Sequence, residues 1–375
     1  MNTATRPASH ESGRGVARFT LRGNPHPRPE RERRRILAAP RFGAVCTDHM
    51  ARITFTGAAG WSGHRVEPYA PFQLDPAAAV LHYGQEVFEG LKAYRHHDGS
   101  VWAFRPEKNA ARLAASARRL ALPQLPEEDF LDSISALVRT DIEWVPTGAG
   151  TSLYLWPFMI ASEPFLGVRP ARSVDYAVIA SPAGPYFASG AAPVSIWVAT
   201  DQHRTGPGGT GAAKCGGNYA ASLDPQRQAA GHGCDQVCFL DAATGTYLEE
   251  IGSMNLLLVT ADGAVHTPAL TGTILEGVTR ASILELLRAQ GVAVHERDIT
   301  LTEVQQGVRT GEITEVLACG TAASVTPIGR LAGPGFDLTV AGGRTGEITA
   351  SLQEQLTAIQ YGTAADPRGW MYQLG

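Results

Sequence analysis

The strand and helix patterns of this chain are interrupted once, by a proline- and glycine-rich stretch at residues 181–190. Such a stretch is typical of a domain boundary, because proline and glycine end regular structure. Apolar strand patterns and amphipathic helix patterns interleave on both sides of it. We therefore expect two domains of α+β or α/β type: a smaller one at residues 1–183, a connecting loop at 184–193 and a larger one at 194–375. Residues 1–18 are polar and are expected to be mobile.

Composition excludes several classes of protein. A length of 375 residues with 44% hydrophobic and 18% charged residues fits a globular protein of two domains. A net charge of −4 offers no basic surface for nucleic acid. We expect no membrane span and no secretory signal peptide, because the required apolar runs are missing. Five cysteines without a C-x-x-C pair favour reduced thiols, a cytoplasmic location and no metal site.

The stretch at residues 206–219 surrounds one lysine, Lys214, with glycines. The chain has only three lysines, Lys92, Lys108 and Lys214, and its other basic residues are arginines. An amine forms a Schiff base and a guanidinium does not, so a lysine kept here suggests covalent chemistry with a carbonyl group. A solvated loop lysine is the alternative, and the loop alone does not separate the two interpretations. The glycines before Lys214 are interpreted as a mobile connection.

Two nucleotide-binding motifs are excluded for this stretch. A P-loop needs Gly-Lys followed by Ser or Thr, whereas Lys214 follows Ala213 and precedes Cys215. The dinucleotide fingerprint needs a third glycine, which is missing at the required spacing after Gly209 and Gly211.

A Schiff-base enzyme also needs a phosphate cradle, a partner for a pyridine nitrogen and a site for a substrate carboxylate. The predicted helix start at residues 277–279 offers backbone N–H groups to a phosphate, and Arg112 adds a charged fork. Glu250, in apolar surroundings, suits the pyridine nitrogen, and the turn at 320–322 offers further N–H groups. Each feature also has an ordinary structural interpretation, as a helix start, a surface charge or a strand-end acid.

Motifs in a characteristic order span residues 19 to 374. They are Phe42-Gly43, Thr47-Asp48-His49-Met50, His82-Tyr83, Phe88-Glu89-Gly90-Leu91-Lys92-Ala93, Arg112, Gly150-Thr151-Ser152-Leu153-Tyr154, Glu163-Pro164, Leu166-Gly167-Val168, Ser181-Pro182-Ala183-Gly184, Lys214, Gly216-Gly217-Asn218-Tyr219, Glu250, Met254-Asn255, Gly277-Val278-Thr279-Arg280, Gly320-Thr321-Ala322 and Ile359-Gln360. In these motifs the chain resembles the branched-chain amino-acid aminotransferases, two-domain pyridoxal-phosphate enzymes of fold type IV.

The resemblance implies a role for each candidate residue. Lys214 is similar to the catalytic lysine that binds the cofactor covalently and moves a proton, Tyr219 to the partner of the phenolic oxygen, and Glu250 to the partner of the ring nitrogen. The cofactor-binding residues so implied are Arg112, Lys214, Tyr219, Glu250, Ser253, Val278, Thr279 and Thr321. The substrate-pocket residues so implied are Phe42, Tyr83, Phe88, Tyr154, Trp156, Tyr186, Thr321 and Ala322.

Trp156 departs from the family pattern. The family usually has Leu-Tyr-x-Arg-Pro where this chain has Leu153-Tyr154-Leu155-Trp156-Pro157. The missing arginine helps to accept the distal carboxylate of glutamate or 2-oxoglutarate, and tryptophan has one neutral N–H donor in its place. Two interpretations stay open: an altered amino donor or acceptor, or a Trp156 that packs outward while glutamate is still accepted.

The resemblance implies transamination between a branched-chain or other hydrophobic L-amino acid and a 2-oxo acid, with 2-oxoglutarate as the usual acceptor. It also implies a homodimer in which the partner subunit completes the site. The alternatives are an aminotransferase of a specialised pathway with an altered donor or acceptor, a fold type IV lyase or D-amino-acid transaminase, and a cofactor-binding protein without activity. The joint presence of Lys214, Tyr219 and Glu250 speaks against the last of these.

Overall fold

The computed structural model describes residues 18–187 and 192–375. Most of the segment predicted to be mobile, residues 1–17, lies outside the described residues, as do residues 188–191 of the predicted connecting loop. The helices of the described part are α1 (Glu30–Ala38), α2 (Ala79–Tyr83), α3 (Pro106–Arg119), α4 (Glu127–Thr140), α5 (Gly216–Ala220), α6 (Leu223–Gly231), α7 (Val278–Ala289), α8 (Leu301–Thr310) and α9 (Glu347–Gln360). In these two ranges, no helix has both the length and the apolar character that crossing a membrane requires.

Most strands before the predicted boundary pair into a first sheet. Its strands are β1 (Thr20–Leu21), β2 (His49–Thr56), β3 (Gly60–Pro68), β4 (Glu86–Phe88), β5 (Leu91–Arg95), β6 (Val101–Phe104), β7 (Ser152–Ala161), β8 (Ser173–Ala183) and β18 (Met371–Gln373). They run in the order β1-β3-β2-β8-β7-β5-β6-β18, with β4 paired to β7. The long apolar pattern predicted as a buried strand is β7, which lies inside the sheet between β5 and β8.

The strands after the boundary form a second sheet. They are β9 (Val194–Ala199), β10 (Gln236–Leu240), β11 (Leu248–Ile251), β12 (Met254–Thr260), β13 (Val265–Thr267), β14 (Val294–Glu296), β15 (Ile313–Gly320), β16 (Ser324–Gly333) and β17 (Phe336–Thr339). The path β11-β10-β9-β16-β15-β12 closes on itself, because β11 also pairs with β12. Buried side chains such as Ile196, Leu256 and Ile328 fill a common core there.

Helix α3 shows how the sequence sets the first core. Pro106 opens it, as predicted, because proline lacks only an N–H that a first turn leaves unpaired. Leu113 and Ala117 lie on its inner face and are almost fully buried. Burying a leucine side chain contributes about 1.5–3 kcal/mol, so this face holds α3 against the sheet.

A mixed apolar cluster joins the two sheets. Tyr94 and Phe104 from the first sheet pack in one cluster with Leu317 of β15 and Leu356 of α9. The last strand, β18, crosses back and pairs with β6 of the first sheet. The sheets thus separate between residues 183 and 194 except for this returning strand, and the predicted domain bounds stay a proposal.

Candidate active site

A cavity of about 200 Å³ lies between the two sheets. Its walls come from the first sheet, from the loop before α5, from β11, from the start of α7 and from the turn after β15. The lining residues are Phe42, Phe88, Gly90, Arg112, Tyr154, Trp156, Tyr186, Lys214, Tyr219, Glu250, Ser253, Asn255, Leu275, Gly277, Val278, Thr279, Cys319, Gly320, Thr321 and Ala322. All the predicted site residues are therefore brought together here except Tyr83.

Lys214 reaches the cavity from the residues just before α5. Its Nζ donates to the hydroxyl of Tyr219 at 2.9 Å and lies 4.4 Å from the centre of the Phe88 ring. Its backbone is held from the first domain: Phe88 N–H donates to Lys214 O at 3.0 Å, and Lys214 N–H donates to Ser116 Oγ at 2.9 Å. The Glu86 carboxylate accepts the N–H of Gly216. The amine is thus positioned by both halves of the molecule.

Side chains also hold the glycine-rich loop before Lys214. Arg119 of α3 donates to the carbonyl of Gly208 at 2.8 Å and to that of Gly209 at 3.2 Å. Asn218 donates to the carbonyl of Thr210 at 2.8 Å. The structure therefore differs from the mobile connection that the glycines predicted, because the arginine that holds this loop lies far away in the sequence.

Glu250 lies on β11 and is almost fully buried. Its Oε1 accepts the N–H of Leu275 at 2.6 Å, and its Oε2 lies 3.1 Å from Nε of Arg204. Burial raises the pKa of Glu250, and the charge of Arg204 opposes that rise. The carboxylate thus has a cationic partner in an otherwise dry place.

Arg112 projects from α3 and is fastened to Glu89. Its Nε and Nη2 donate to the two Glu89 carboxylate oxygens at 2.8 and 2.9 Å, and its Nη1 donates to Glu276 O at 3.0 Å. Glu89 is fully buried and also accepts from Asn109 at 2.7 Å. This pairing fixes the guanidinium beside the start of α7.

Helix α7 begins at Val278, with Gly277 as its N-terminal cap. The first N–H groups of a helix have no partner within it and carry partial positive charge, so this end favours an anion. A side chain at position 277 would overlap Asn255 Oδ1, which explains why glycine occupies it.

Aromatic rings form the wall opposite these polar groups. Trp156 stacks on Phe88 with ring centres 5.0 Å apart and an angle of 4°. Phe42 packs edge-on against Tyr154 at 4.7 Å and against Tyr186 at 5.3 Å. Of the two interpretations of Trp156, outward packing is wrong, because its ring forms part of the cavity wall.

Tyr83 lies elsewhere, at the end of α2. Its side chain is exposed, and its hydroxyl accepts the N–H of Gly167 at 2.7 Å. Its ring stacks on Phe165 at 6.4 Å. Tyr83 therefore does not reach the cavity of its own chain.

Several residues of the site were not predicted from sequence. Arg204, Ser116 and Glu86 support the predicted residues, and Lys92 Nζ donates to Ala322 O at 2.9 Å behind the substrate turn. Burial lowers the pKa of Lys92 to about 8. The rarity of lysine pointed to Lys92, whereas nothing local distinguishes Arg204 among the many arginines.

Known proteins share this architecture and sequence. Residues 86–331 match the family described as amino-transferase class IV. The branched-chain-amino-acid aminotransferase of Mycolicibacterium smegmatis is 54% identical over 364 residues, which cover 96% of this chain and 99% of that protein. The crystal structure of the Escherichia coli branched-chain amino acid aminotransferase has a TM-score of 0.72 at 28% identity and covers 87% of this chain and 100% of its own.

A further solved structure carries a cofactor adduct. The branched-chain amino acid aminotransferase of the organism abbreviated T.th., complexed with N-(5'-phosphopyridoxyl)-L-glutamate, has a TM-score of 0.69 at 25% identity and covers 87% of this chain and 99% of its own. Both the sequence and the structural likenesses extend over nearly the whole molecule. The chain therefore belongs to the class IV amino-transferases, as a pyridoxal-phosphate-dependent enzyme of the branched-chain-amino-acid aminotransferase family.

Proposed function

We propose that this aminotransferase moves an amino group between a branched-chain or other hydrophobic L-amino acid and a 2-oxo acid, with pyridoxal phosphate held on Lys214. The observation that carries the proposal is the Lys214–Tyr219 pair, which lines one cavity with Glu250 and an aromatic wall. The curated relatives named for branched-chain amino acids support the substrate class.

The residues of the cavity fit the cofactor group by group. Arg112 and the free N–H groups of Val278 and Thr279 suit the phosphate, Glu250 suits the ring nitrogen, and Tyr219 suits the phenolic oxygen. When bound, pyridoxal phosphate supplies an aldehyde that joins an amine and a ring that accepts electrons from a broken Cα–H bond.

The chain supplies the proton transfers and the orientation. Lys214 Nζ accepts the proton of the substrate Cα and returns a proton in the reverse half of the cycle. Backbone N–H groups of Thr321 and Ala322 receive the substrate carboxylate, and the bond from Lys92 fixes the Ala322 peptide behind them. The aromatic wall binds an aliphatic side chain by burial, at about 0.8 kcal/mol per methylene group.

A second candidate concerns the donor or acceptor. Trp156 lines the cavity, and among the described lining residues the positively charged side chains are Arg112, which Glu89 holds, and Lys214. The distal carboxylate of 2-oxoglutarate would lack a charged partner at this wall, which would cost about 2–4 kcal/mol of affinity. This favours an enzyme that prefers partners without a second carboxylate.

We propose further that the enzyme is a cytoplasmic homodimer. Leu81, Tyr83, Leu166 and Val168 lie close along the chain to α2 and the loop that bonds to it, and all four are exposed. Tyr83 was predicted in the substrate pocket but lies outside the cavity of its own chain, so it would line the pocket of a partner subunit. The cysteines, all of them free thiols in the described residues, support a reducing compartment.

Absorbance of the reconstituted protein tests the central claim. Wild type and Lys108→Ala, which changes an exposed lysine on α3, are expected to show the visible band of a lysine-bound cofactor and to transaminate leucine. Lys214→Ala is expected to lose both. A wild-type protein without the band, or a Lys214→Ala variant that keeps it, would refute the proposal.

A further inference from the structure

Behind the cavity lies a buried charged cluster that none of the predicted roles includes. It consists of Arg204, Glu249 and Glu250, whose exposed fractions are 4%, 6% and 2%. Glu249 and Glu250 are consecutive residues of β11, so their side chains point to opposite faces of the strand. A single arginine therefore serves two buried carboxylates.

Arg204 is held between the lysine loop and β11. Its Nε lies 3.1 Å from Glu250 Oε2, and its Nη1 donates to Thr273 O at 3.1 Å and to Gly211 O at 3.3 Å. The hydroxyl of Thr273 in turn donates to Glu249. The guanidinium cannot leave Glu250 without also breaking bonds to the loop that precedes Lys214.

The charges of the cluster compete. Burial raises the pKa of both Glu249 and Glu250, whereas Arg204 lowers both, and Glu249 raises that of Glu250. Lys214 also faces Glu250, while Asp241 and His203 face Glu249. With two carboxylates and one arginine in a dry environment, the protonation of Glu250 depends on how Arg204 is shared.

We propose that Arg204 is a positioning residue that keeps Glu250 ionised against the competing charge of Glu249, and so keeps the proton that Glu250 shares with the cofactor on the ring nitrogen. The proposal rests on the proposed function, because it assumes that Glu250 is the partner of that nitrogen. Arg204 itself acts only through Glu250.

The test uses enzyme reconstituted with pyridoxal phosphate labelled with ¹⁵N in the ring. In wild type at neutral pH, the ¹⁵N chemical shift is expected to be that of a protonated pyridine. In Arg204→Met it is expected to move toward the unprotonated value, and in Arg204→Lys, which keeps the charge, it is expected to stay near wild type. Cofactor affinity, measured by titrating apoenzyme, should fall by about tenfold in Arg204→Met.

Two further variants separate charge from folding. Arg105→Met removes another buried arginine, which pairs with Glu285 at 3.0 Å and does not line the cavity, so its ¹⁵N shift should match wild type. The double variant Arg204→Met/Glu249→Gln removes one charge of each sign, and its shift should return part of the way to wild type. If Arg204→Met does not fold, this double variant and Arg204→Lys carry the test.

An unchanged ¹⁵N shift in Arg204→Met would overturn the inference, and so would an unprotonated nitrogen in Arg204→Lys or no recovery in the double variant. Loss of this inference leaves the proposed function intact as long as Lys214→Ala abolishes the visible band. Failure of the Lys214→Ala experiment would instead remove the proposed function itself.

Discussion

At the scale of single residues, Trp156 is the side chain that most distinguishes this cavity. It stacks on Phe88 and replaces a cation with a flat apolar surface. We expect Trp156→Arg to lower the KM for 2-oxoglutarate at least about tenfold, because a charged partner for the distal carboxylate is worth about 2–4 kcal/mol. Steady-state kinetics with leucine as donor measures this.

Trp156→Phe is the matched control, since it keeps an aromatic ring and adds no charge. Its KM for 2-oxoglutarate should stay within about threefold of wild type. A low wild-type KM that Trp156→Arg does not improve would show that the acceptor carboxylate is bound elsewhere.

Lys92 is a buried amine whose described partner is the carbonyl of Ala322. Burial lowers its pKa from 10.5 to about 8 in the folded protein. Between these two values the unfolded chain binds more protons than the folded one, so raising the pH from 8 to 10.5 should increase the free energy of unfolding. The gain attributable to Lys92 is on the order of 3 kcal/mol.

Thermal unfolding of wild type and Lys92→Met across the same pH range measures this gain. The difference in unfolding temperature should change in favour of wild type as the pH rises, because methionine has no proton to lose. A constant difference across this range would mean that Lys92 is not buried in its charged form at neutral pH.

At the scale of elements, the loop that carries Lys214 depends on α3. The buried hydroxyl of Ser116 accepts the N–H of Lys214. Ser116→Ala leaves that N–H without a partner, which should cost about 1–3 kcal/mol of stability and weaken cofactor binding. Ser133→Ala removes an equally buried hydroxyl on α4, which donates to Phe130 O at 2.7 Å.

Titration of the two apoenzymes with pyridoxal phosphate distinguishes a local from a general effect. Both variants should lose stability, but only Ser116→Ala should show a higher dissociation constant for the cofactor. Equal dissociation constants would mean that Ser116 merely packs.

Helix starts show where local patterns mislead by a few residues. Thr302 and Gln305 predict a capping box. In the structure the cap of α8 is Thr300, whose hydroxyl accepts the N–H of Glu303. That prediction is wrong, because an equivalent Thr-x-x-Glu pattern two residues earlier coincides with the bridge between Tyr247 and Thr300, which ends the extended chain there.

At the scale of the whole molecule, the exposed apolar loop after β7 bears on assembly. Leu166 and Val168 have exposed fractions of 77% and 92%. If this loop lies in a dimer interface, Leu166→Asp/Val168→Asp should yield monomers, because burying unpaired carboxylates there is costly. Activity should fall together with dimerisation, since the partner subunit would complete the pocket.

Light scattering after size exclusion gives the mass. Leu223→Asp is the matched control, because Leu223 is similarly exposed, at 71%, but lies on α6 of the second domain. It should leave the mass unchanged. A double variant that keeps the wild-type mass and activity would exclude this loop from the interface.

The sequence by itself determined the class of fold, the cofactor chemistry and most of the elements. The start of α3 at Pro106 and of α7 at Val278, and the buried strand β7, follow from local patterns, because caps and runs of apolar residues act on their nearest neighbours. The family motifs then predicted which residues would meet.

Only the tertiary structure decided which partners each side chain has. It turned Trp156 into the cavity, kept Tyr83 out of it, joined Arg204 to Glu250 and returned β18 to the first sheet. These contacts depend on how strands far apart in the chain are paired. A pattern of neighbouring residues specifies burial and local conformation, but it carries no information on which distant charge will share the buried site.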